Sequence, residues 1–397
     1  MITPATFAFW RGTLALCLGS FMVFANLYVT QPLLPMISAH FEVSPLQASA
    51  SFTITTFTLG ISLLLYGPLS DAIGRKGIML LTMVGITLTT ACLAGLSNYH
   101  SLLVLRALQG FFLAGLPAIA VAYMSDEFNA DALMIGVGVY ISGNSLGGIG
   151  GRLLGGFLGD RVGLEGTFSF MAVFSLVLTA AFAWLLPASQ NFTPKRLRPR
   201  PMLGQLAAHL ANKDLLLSYC IGGLSFFIFV NQYSYITFVL EASPFNLSAK
   251  FIGMLFLTYL SGTYASAISG KLGKRWSQPR CMMAGTVILM VGTGVTLLPS
   301  LYAIILGLLI NSFGFFLTHA TASSWVSINA KGGKASASSL YLTFYYLGAS
   351  TGGIYLDQFW QQARWQGVVV GSWLMLVVIL LLGFVLHHIA GVNKQGR

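Results

Sequence analysis

The chain has 397 residues, of which 56% are hydrophobic and 8% are charged, and its mean hydropathy is +0.78. In soluble domains about a quarter of the residues are charged, so this composition excludes an ordinary soluble protein and indicates an integral membrane protein. The net charge of +11 does not indicate nucleic-acid binding, because the basic residues cluster between long apolar segments. The four cysteines show no metal or disulfide spacing, and neither a metal nor a cofactor is expected.

The apolar segments are long enough to cross a bilayer, which takes about 20 residues in a helix. Twelve of them follow one another along the chain, at 12–36, 48–68, 77–97, 102–124, 133–157, 166–187, 214–240, 250–269, 281–299, 301–326, 337–356 and 367–387. They are uniformly apolar, whereas the strands of an outer-membrane barrel alternate between apolar and polar residues. We therefore predict an all-α membrane protein with twelve transmembrane helices.

The distribution of Lys and Arg predicts the orientation. If the N-terminus is cytoplasmic, sixteen of these residues lie on the cytoplasmic side and three lie outside. Cytoplasmic loops are enriched in Lys and Arg, so both termini are predicted to be cytoplasmic. The longest connection is basic and separates two sets of six helices. We predict an N-terminal bundle over 1–187, a cytoplasmic linker over 188–213 and a C-terminal bundle over 214–397.

Two sequence patterns recur at nearly the same spacing. The stretch 143–149 reads G-x-S-x-G-G-I, and 348–354 repeats this pattern 205 residues later. The G-x-L of 67–69 recurs at 270–272, which is 203 residues later. Two matches at one spacing predict a duplicated six-helix unit. Both copies have the same orientation, because each contains an even number of helices.

The connection 67–76 holds three charges in ten residues. We expect Gly67 and Pro68 to interrupt the preceding helix. Asp71 is expected just before or in the first turn of the next helix, where the helix dipole favours an anion. Arg75 follows one turn later and can share its face. The spelling G-x-L-x-D-x-x-G-R-K resembles the signature loop between the second and third helices of the major facilitator superfamily.

Three further stretches extend this resemblance over the chain: Arg106-Ala107-Leu108-Gln109-Gly110, the Gly-rich stretch 143–149 with Gly143-Asn144 in place of the usual Gly-Pro, and the opening Tyr28-x-x-Gln31-Pro32-Leu33-Leu34-Pro35 followed by Phe41-x-Val43-Ser44. The opening is similar to the YnfM-like inner-membrane transporters of the drug:proton antiporter group. The resemblance implies two parallel six-helix halves with a substrate site between them near mid-membrane. It also implies a monomer in the lipids of a bacterial inner membrane, with a small-molecule substrate and no nucleic-acid partner.

The resemblance and the placement of charge select the candidate gating or coupling residues, which are Gly67, Asp71, Gly74, Arg75, Arg106, Asp126 and His319. Arg106 lies inside an apolar run, where a charge costs about 2.5–3.5 kcal/mol. It is either a structural arginine bound to carbonyls of a neighbouring helix or a cation that faces the cavity. His319 is either a packed neutral side chain or a proton carrier, since histidine ordinarily titrates near neutral pH.

In this family the first, fourth, seventh and tenth helices line the central cavity. The candidate cavity residues are polar or aromatic: Asn26, Thr30, Gln31, Gln109, Asn144, Asn231, Gln232, Tyr235, Asn311 and Phe315. Each amide has the alternative of bonding a neighbouring helix.

The expected function is secondary active transport by alternating access. All ten carboxylates lie in loops or at helix ends, and the chain has no P-loop for ATP. We predict a proton-coupled exporter of small amphipathic or neutral organic molecules. The proton carrier would be His319, Asp71, Glu241 or Asp357. The alternatives are uptake or exchange of a small anionic or neutral metabolite, a membrane-embedded lipid enzyme, and a channel.

Overall fold

A computed structural model describes residues 1–96, 98–194, 199–330 and 333–395. We number its membrane-crossing helices as spans 1–12. Spans 1–6 are Phe7–Tyr28 (continued by Gln31–Leu33 and Leu34–Phe41), Pro45–Ile73, Arg75–Leu93, Tyr99–Leu113 with Gly115–Glu127, and the two parts of Ala130–Leu185. Spans 7–12 are Lys213–Glu241, Ala249–Met254 with Leu255–Thr258 and Tyr259–Trp276, Gln278–Val295, Leu301–Asn329, and the two parts of Lys334–Gln395.

The number of spans follows from two breaks within long helices. Among the described residues, nine helices are long and apolar enough to cross a membrane. Two of these nine contain non-helical residues, at Gly163 (φ 70°) and at Ala363 and Arg364 (φ −143° and 49°). Each of these two comprises a pair of spans. Together with the further helix Gln278–Val295, they give the twelve helices that the sequence predicts.

The starts of several spans are fixed by local side chains. At the start of span 2, the Ser44 hydroxyl accepts from the Gln47 backbone N–H at 3.2 Å, and the Gln47 side chain accepts from the Ser44 N–H at 2.9 Å. The side chains of Asn98 and Asn129 accept from backbone N–H groups three residues later, at 2.8 Å and 2.9 Å. These bonds satisfy N–H groups that a helix leaves unpaired at its first turn.

The chain divides into two compact units. Unit 1 is Met1–Leu197 with Leu247–Met254, and unit 2 is Arg198–Asn246 with Leu255–Arg397. The predicted linker lies partly outside the described residues, because these omit 195–198. Its described part contains the helix Pro199–Ala211.

Within unit 1, span 5 packs against span 1 through a stripe of glycines. A Cβ atom added at these glycines would lie 2.3–2.6 Å from a backbone oxygen of span 1; the pairs are Gly143 with Cys17, Gly147 with Phe21, Gly151 with Ala25, and Gly155 with Val29. Such distances are too short for any side chain, so the two backbones touch directly. Within unit 2, Gly348 and Gly352 contact the carbonyls of Gly223 and Phe227 in the same way.

The connection between spans 2 and 3 is shorter than the sequence predicts. Gly67 and Pro68 do not interrupt the helix, which continues to Ile73 with Pro68 inside it. Proline removes one N–H and fixes φ near the helical value, so a helix can accommodate it at the cost of one backbone bond. The break lies at Gly74 instead, where φ is 119° and ψ is 153°. Asp71 therefore lies in the last turn of span 2 and not at the start of span 3.

Candidate functional site

A cluster of charged side chains surrounds the break at Gly74. The Arg75 guanidinium forms an ion pair with Asp71 and a second one, at 3.0 Å, with Asp126 at the end of span 4. It also donates to the Ser70 hydroxyl at 2.8 Å. The Arg75 side chain is 7% exposed, whereas those of Asp71 and Asp126 are 40% and 30% exposed. We call these four residues the Arg75 cluster; it joins spans 2, 3 and 4.

Gly67 and Gly74, the two predicted glycines of this connection, have different backbone conformations. Gly74 has a positive φ, which side-chain-bearing residues rarely adopt. It allows the chain to turn from span 2 into span 3 with Gly74 as the single intervening residue. Gly67 is helical, and a Cβ atom added there would meet nothing within 4 Å. A methyl group at position 67 would therefore meet no steric obstacle.

Arg106 in span 4 is fully buried, and each of its N–H groups has an acceptor. Its acceptors are the carbonyl oxygens of Ser51 (3.0 Å), Asn26 (3.1 Å) and Leu27 (3.0 Å), the Thr30 hydroxyl (3.3 Å) and the Gln109 side chain. A guanidinium has five N–H donors, and these five bonds use all of them. Arg106 thereby links span 4 to spans 1 and 2.

An amide–hydroxyl–amide triad continues from Arg106 across unit 1. Gln109 donates to the Thr90 hydroxyl at 2.7 Å, and Thr90 donates to the Asn26 side chain at 2.9 Å. Asn26 in turn donates to the Ser175 hydroxyl at 2.9 Å. The side chains of Asn26, Thr90 and Gln109 are buried, so the triad connects spans 1, 3 and 4 inside the unit.

Unit 2 contains a second triad on the equivalent spans 7, 9 and 10. Asn311 donates to Gln232 at 2.7 Å and to the Thr293 hydroxyl at 3.0 Å, and Gln232 donates to Thr293 at 3.1 Å. All three residues are buried. Because an amide, a threonine and an amide recur on corresponding helices, the duplication extends to the polar interior. The recurring threonine lies on spans 3 and 9, which are not among the cavity-lining helices that the resemblance implies.

The remaining predicted cavity residues of unit 1 also bond within the unit. Gln31 accepts from Arg152 at 2.8 Å, and Arg152 lies over the Tyr28 ring at 3.8 Å. The Asn144 side chain accepts a hydrogen bond from Ser20, which joins span 5 to span 1. In unit 2, Asn231 donates to the Ala349 carbonyl at 2.9 Å.

His319 lies at the edge of an aromatic cluster in unit 2. Its Nδ1 is 2.9 Å from the Tyr341 hydroxyl, and its ring is 4.6 Å from that of Tyr345. Phe315, one turn away, stacks on Phe229 with ring centroids 3.9 Å apart. The cluster therefore joins spans 7, 10 and 11. His319 itself is only half-buried.

Asp357 in span 11 is a buried carboxylate, with 5% of the residue exposed. It accepts from the Tyr235 hydroxyl at 2.9 Å and from the Gln361 side chain at 2.5 Å. The Trp360 ring packs on Tyr235 with centroids 5.3 Å apart. Within the described ranges Asp357 forms no ion pair. From the sequence alone, Asp357 is only a carboxylate near the end of a helix, because its position does not show which neighbours cover it.

The Major Facilitator Superfamily model matches residues 16–353 of this chain. The chain belongs to the major facilitator superfamily. Its membership confirms the transport family inferred from the signature loop, and members of this family are transporters, so the lipid-enzyme alternative does not hold.

Relatives from this superfamily align with nearly the whole chain. The inner membrane transport protein YnfM of Escherichia coli is 38% identical over 98% of this chain and 93% of its own length. The uncharacterized MFS-type transporter YybF of Bacillus subtilis is 35% identical over 100% and 98%. A homolog of the multi-drug resistance efflux pump PmrA from Lactococcus lactis is 25% identical over 95% of both chains.

Solved structures confirm the major facilitator fold. A bacterial homolog of the human lysosomal transporter Spinster, in an inward-facing and unoccupied conformation, matches with a TM-score of 0.76 at 15% identity over 96% of this chain and 97% of its own. The nucleoside transporter NupG matches with a TM-score of 0.75 at 15% identity over 94% and 99%. At this identity the likeness shows the fold alone.

The structure brings the predicted site residues of this superfamily member into separate groups. Asp71, Arg75 and Asp126 meet in one cluster, and Arg106 and Gln109 meet in another. Sequence reasoning did not identify Glu127 or Phe192 as neighbours of the Arg75 cluster. Phe192 contacts Arg75 from a segment that is far away in the chain. Glu127, which follows Asp126, binds backbone N–H groups of that same segment, and no periodic pattern marks such contacts.

Proposed function

We propose that this transporter is a proton-coupled exporter of small amphipathic or neutral organic molecules in a bacterial inner membrane. It would work by alternating access of two six-helix halves, 1–187 and 214–397, with both termini and the linker in the cytoplasm. The full-length similarity to the inner membrane transport protein YnfM supports the location, and the weaker similarity to a multidrug efflux pump homolog supports the export direction. The clustered basic residues support the orientation.

The observation that carries the proposal is the Arg75 cluster. Two carboxylates from spans 2 and 4 share one buried guanidinium at the start of span 3. Both carboxylates are partly exposed, so water can solvate them when the ion pairs break, and the pairs can form and separate as the spans move. The cluster is thus suited to hold spans 2, 3 and 4 together in one access state and to release them in the other.

Among the four proposed proton carriers, Asp357 has the most suitable surroundings. It is buried and held by a hydroxyl and an amide, so binding a proton would not break an ion pair. Asp71 is ion-paired to Arg75, Glu241 is exposed, and His319 is half-buried. A coupling group must bind its proton more tightly in one access state than in the other. The neighbours of Asp357 come from spans 7 and 11, whose movement would change them.

Uptake or exchange of a metabolite is the second candidate function. For an anionic metabolite, Arg106 was the candidate cation in the cavity. All five N–H groups of Arg106 already have acceptors within unit 1. A substrate carboxylate could bind there only by displacing one of these five acceptors. This geometry favours a structural role for Arg106 and a neutral or amphipathic substrate.

The test is flux driven by an imposed pH gradient in proteoliposomes. A thermal-stabilisation screen of the purified protein with amphipathic cations, neutral organic molecules and carboxylates would first supply a substrate. The parent, Asp357→Asn, His319→Gln and Asp71→Asn are then compared. We expect uphill accumulation in the parent and its loss in Asp357→Asn, with downhill exchange retained. If the gradient drives no uphill flux in the parent, coupling to protons is wrong and exchange takes its place.

A further inference from the structure

The segment 186–192, which we call the strap, leaves span 6 and lies against spans 3 and 4 beside the Arg75 cluster. The carbonyl of Leu186 accepts from the Lys76 ammonium at 2.5 Å. The carbonyl of Pro187 accepts from the Tyr123 hydroxyl at 2.9 Å. The first two residues of the strap are therefore bound by side chains of both spans.

Glu127 binds the next part of the strap. One carboxylate oxygen accepts from two successive backbone N–H groups, those of Gln190 at 2.8 Å and Asn191 at 3.0 Å. The other oxygen accepts from the Asn191 side chain at 3.1 Å. Glu127 is 2% exposed, and within the described part of the chain it forms no ion pair. A buried carboxylate is costly unless its charge is satisfied, and the strap supplies the donors.

The N-terminal segment binds the backbone of Glu127. The Glu127 carbonyl accepts from the Ile2 N–H at 2.7 Å, and the Ile2 carbonyl accepts from the Asn129 N–H at 3.0 Å. The N-terminal segment thus fixes the end of span 4. This leaves the Glu127 carboxylate in a defined position from which it can bind the strap.

The end of the strap covers the cluster itself. The Phe192 ring lies 5.6 Å from the central carbon of the Arg75 guanidinium. An aromatic face attracts a cation and also excludes water from it. Exclusion of water strengthens ion pairs, because the interaction energy of two charges rises as the dielectric constant falls. The cover is consistent with the low exposure of Arg75 beside two partly exposed carboxylates.

We propose that Glu127 is a positioning residue for the gate. It fastens the strap over the Arg75 cluster while the ion pairs are formed, and the strap detaches when they break. The start of the connection between the two halves is then bound in one access state, which it stabilises, and detached in the other. The inference rests on the proposed gating role of the cluster, but the contact between Glu127 and the strap can be measured without transport.

The first measurement is hydrogen–deuterium exchange of the purified full-length protein. In Glu127→Ala, the amides of Gln190 and Asn191 should exchange at least tenfold faster than in the parent. Asp131→Asn is the matched control, because it removes an exposed carboxylate four residues away. It should leave both amides unchanged. Unaltered protection of spans 1–5 in Glu127→Ala shows that unit 1 still folds. Equal exchange of the two amides in the parent and Glu127→Ala would overturn the proposal.

The second measurement separates gating from mere support of the fold. In Glu127→Ala, the maximal transport rate should fall at least fivefold while the half-saturating substrate concentration stays unchanged. Glu127→Gln should recover part of the rate, because its side-chain oxygen can still accept from both backbone N–H groups. A parent-like rate in Glu127→Ala would refute the gating role. Failure of the proposed function would appear differently, as absent pH-driven flux in the parent with the strap still protected.

Discussion

The two turns at Gly74 and Ser277 share a backbone conformation but differ in chemistry. Gly74 has φ 119° and ψ 153°, and Ser277 has φ 76° and ψ 148°. In unit 1 the next residue, Arg75, reaches Asp126 at 3.0 Å; in unit 2 the next residue, Gln278, reaches Ser324 at 2.9 Å. Both bonds join the start of one span to the end of the following one. Duplication thus retained the turn and the cross-link, while only the first copy is ionic.

The interiors of the two units differ in the same direction. Arg106 joins span 4 to spans 1 and 2 with four hydrogen bonds, in addition to its bond to Gln109 on its own span. On the equivalent spans 7, 8 and 10, the neutral Tyr233 hydroxyl contacts Thr258 (2.7 Å), the Leu308 carbonyl (3.2 Å) and Ser312 (2.8 Å). Unit 1 therefore joins with a cation the set of spans whose counterparts unit 2 joins with a neutral group. Substitutions in unit 1 should have larger effects than their equivalents in unit 2.

The largest expected effect is on stability, from Arg106→Leu. Interhelical hydrogen bonds in membranes contribute about 0.6 kcal/mol each, so loss of the four that leave span 4 predicts roughly 2.4 kcal/mol. Tyr233→Phe removes the hydroxyl that joins spans 7, 8 and 10 of unit 2 and should cost about 0.5–1.5 kcal/mol. Thermal unfolding of both purified variants in the same detergent checks the order. If Tyr233→Phe is the more destabilised, the contrast between the two interiors is wrong.

Hydropathy predicted the twelve helices because each must bury its backbone hydrogen bonds within the bilayer. It could not locate the break at Gly74, since Pro68 is an equally good local signal for a helix end. The residue types of the Arg75 cluster followed from the signature loop. The sequence could not decide between the two roles offered for Arg106 and gave no role for Glu127, because most of their partners are backbone groups of distant segments. The burial of Asp357 was missed for a similar reason: its cover comes from span 7.

The second effect concerns the glycine stripe. A methyl group in Gly151→Ala would lie 2.5 Å from the Ala25 carbonyl, so span 5 must move away from span 1. Overpacking of this kind costs about 1–3 kcal/mol. Gly138→Ala is the control within the same helix, because its Cβ would meet nothing within 4 Å. It should be neutral or slightly stabilising, since alanine favours helix more than glycine. Equal melting temperatures for the two variants would contradict direct backbone contact.

The third effect concerns transport more than stability. Asp71→Asn removes the charge of one partner of Arg75 while its shape is kept. We expect the maximal transport rate to fall about tenfold, which corresponds to about 1.4 kcal/mol, with substrate binding and expression retained. Lys274→Gln, the charge-neutralising change at the equivalent position of unit 2, should leave the rate near that of the parent. Full transport by Asp71→Asn would remove the gating role of the cluster.

The smallest effect is predicted for Gln278→Ala, which breaks the neutral cross-link of unit 2. Its bond to Ser324 is exposed to solvent, and such a bond contributes at most about 0.5–1.5 kcal/mol. The transport rate should change less than threefold, and the change should be the same at low and high salt. Arg75→Ala provides the contrast, because the two carboxylates that pair with Arg75 are partly exposed and salt can therefore screen them. Salt should slow the parent, because its ion pairs are intact and can be screened. Salt should have little effect on Arg75→Ala, because this variant lacks those ion pairs. Initial rates of both variants and the parent, measured at about 0.01 M and 1 M salt, therefore show which of the two turns makes transport depend on salt. If Gln278→Ala removes the salt dependence of transport while Arg75→Ala retains it, the ionic gate is not at the Gly74 turn, and the asymmetry between the two copies does not govern gating.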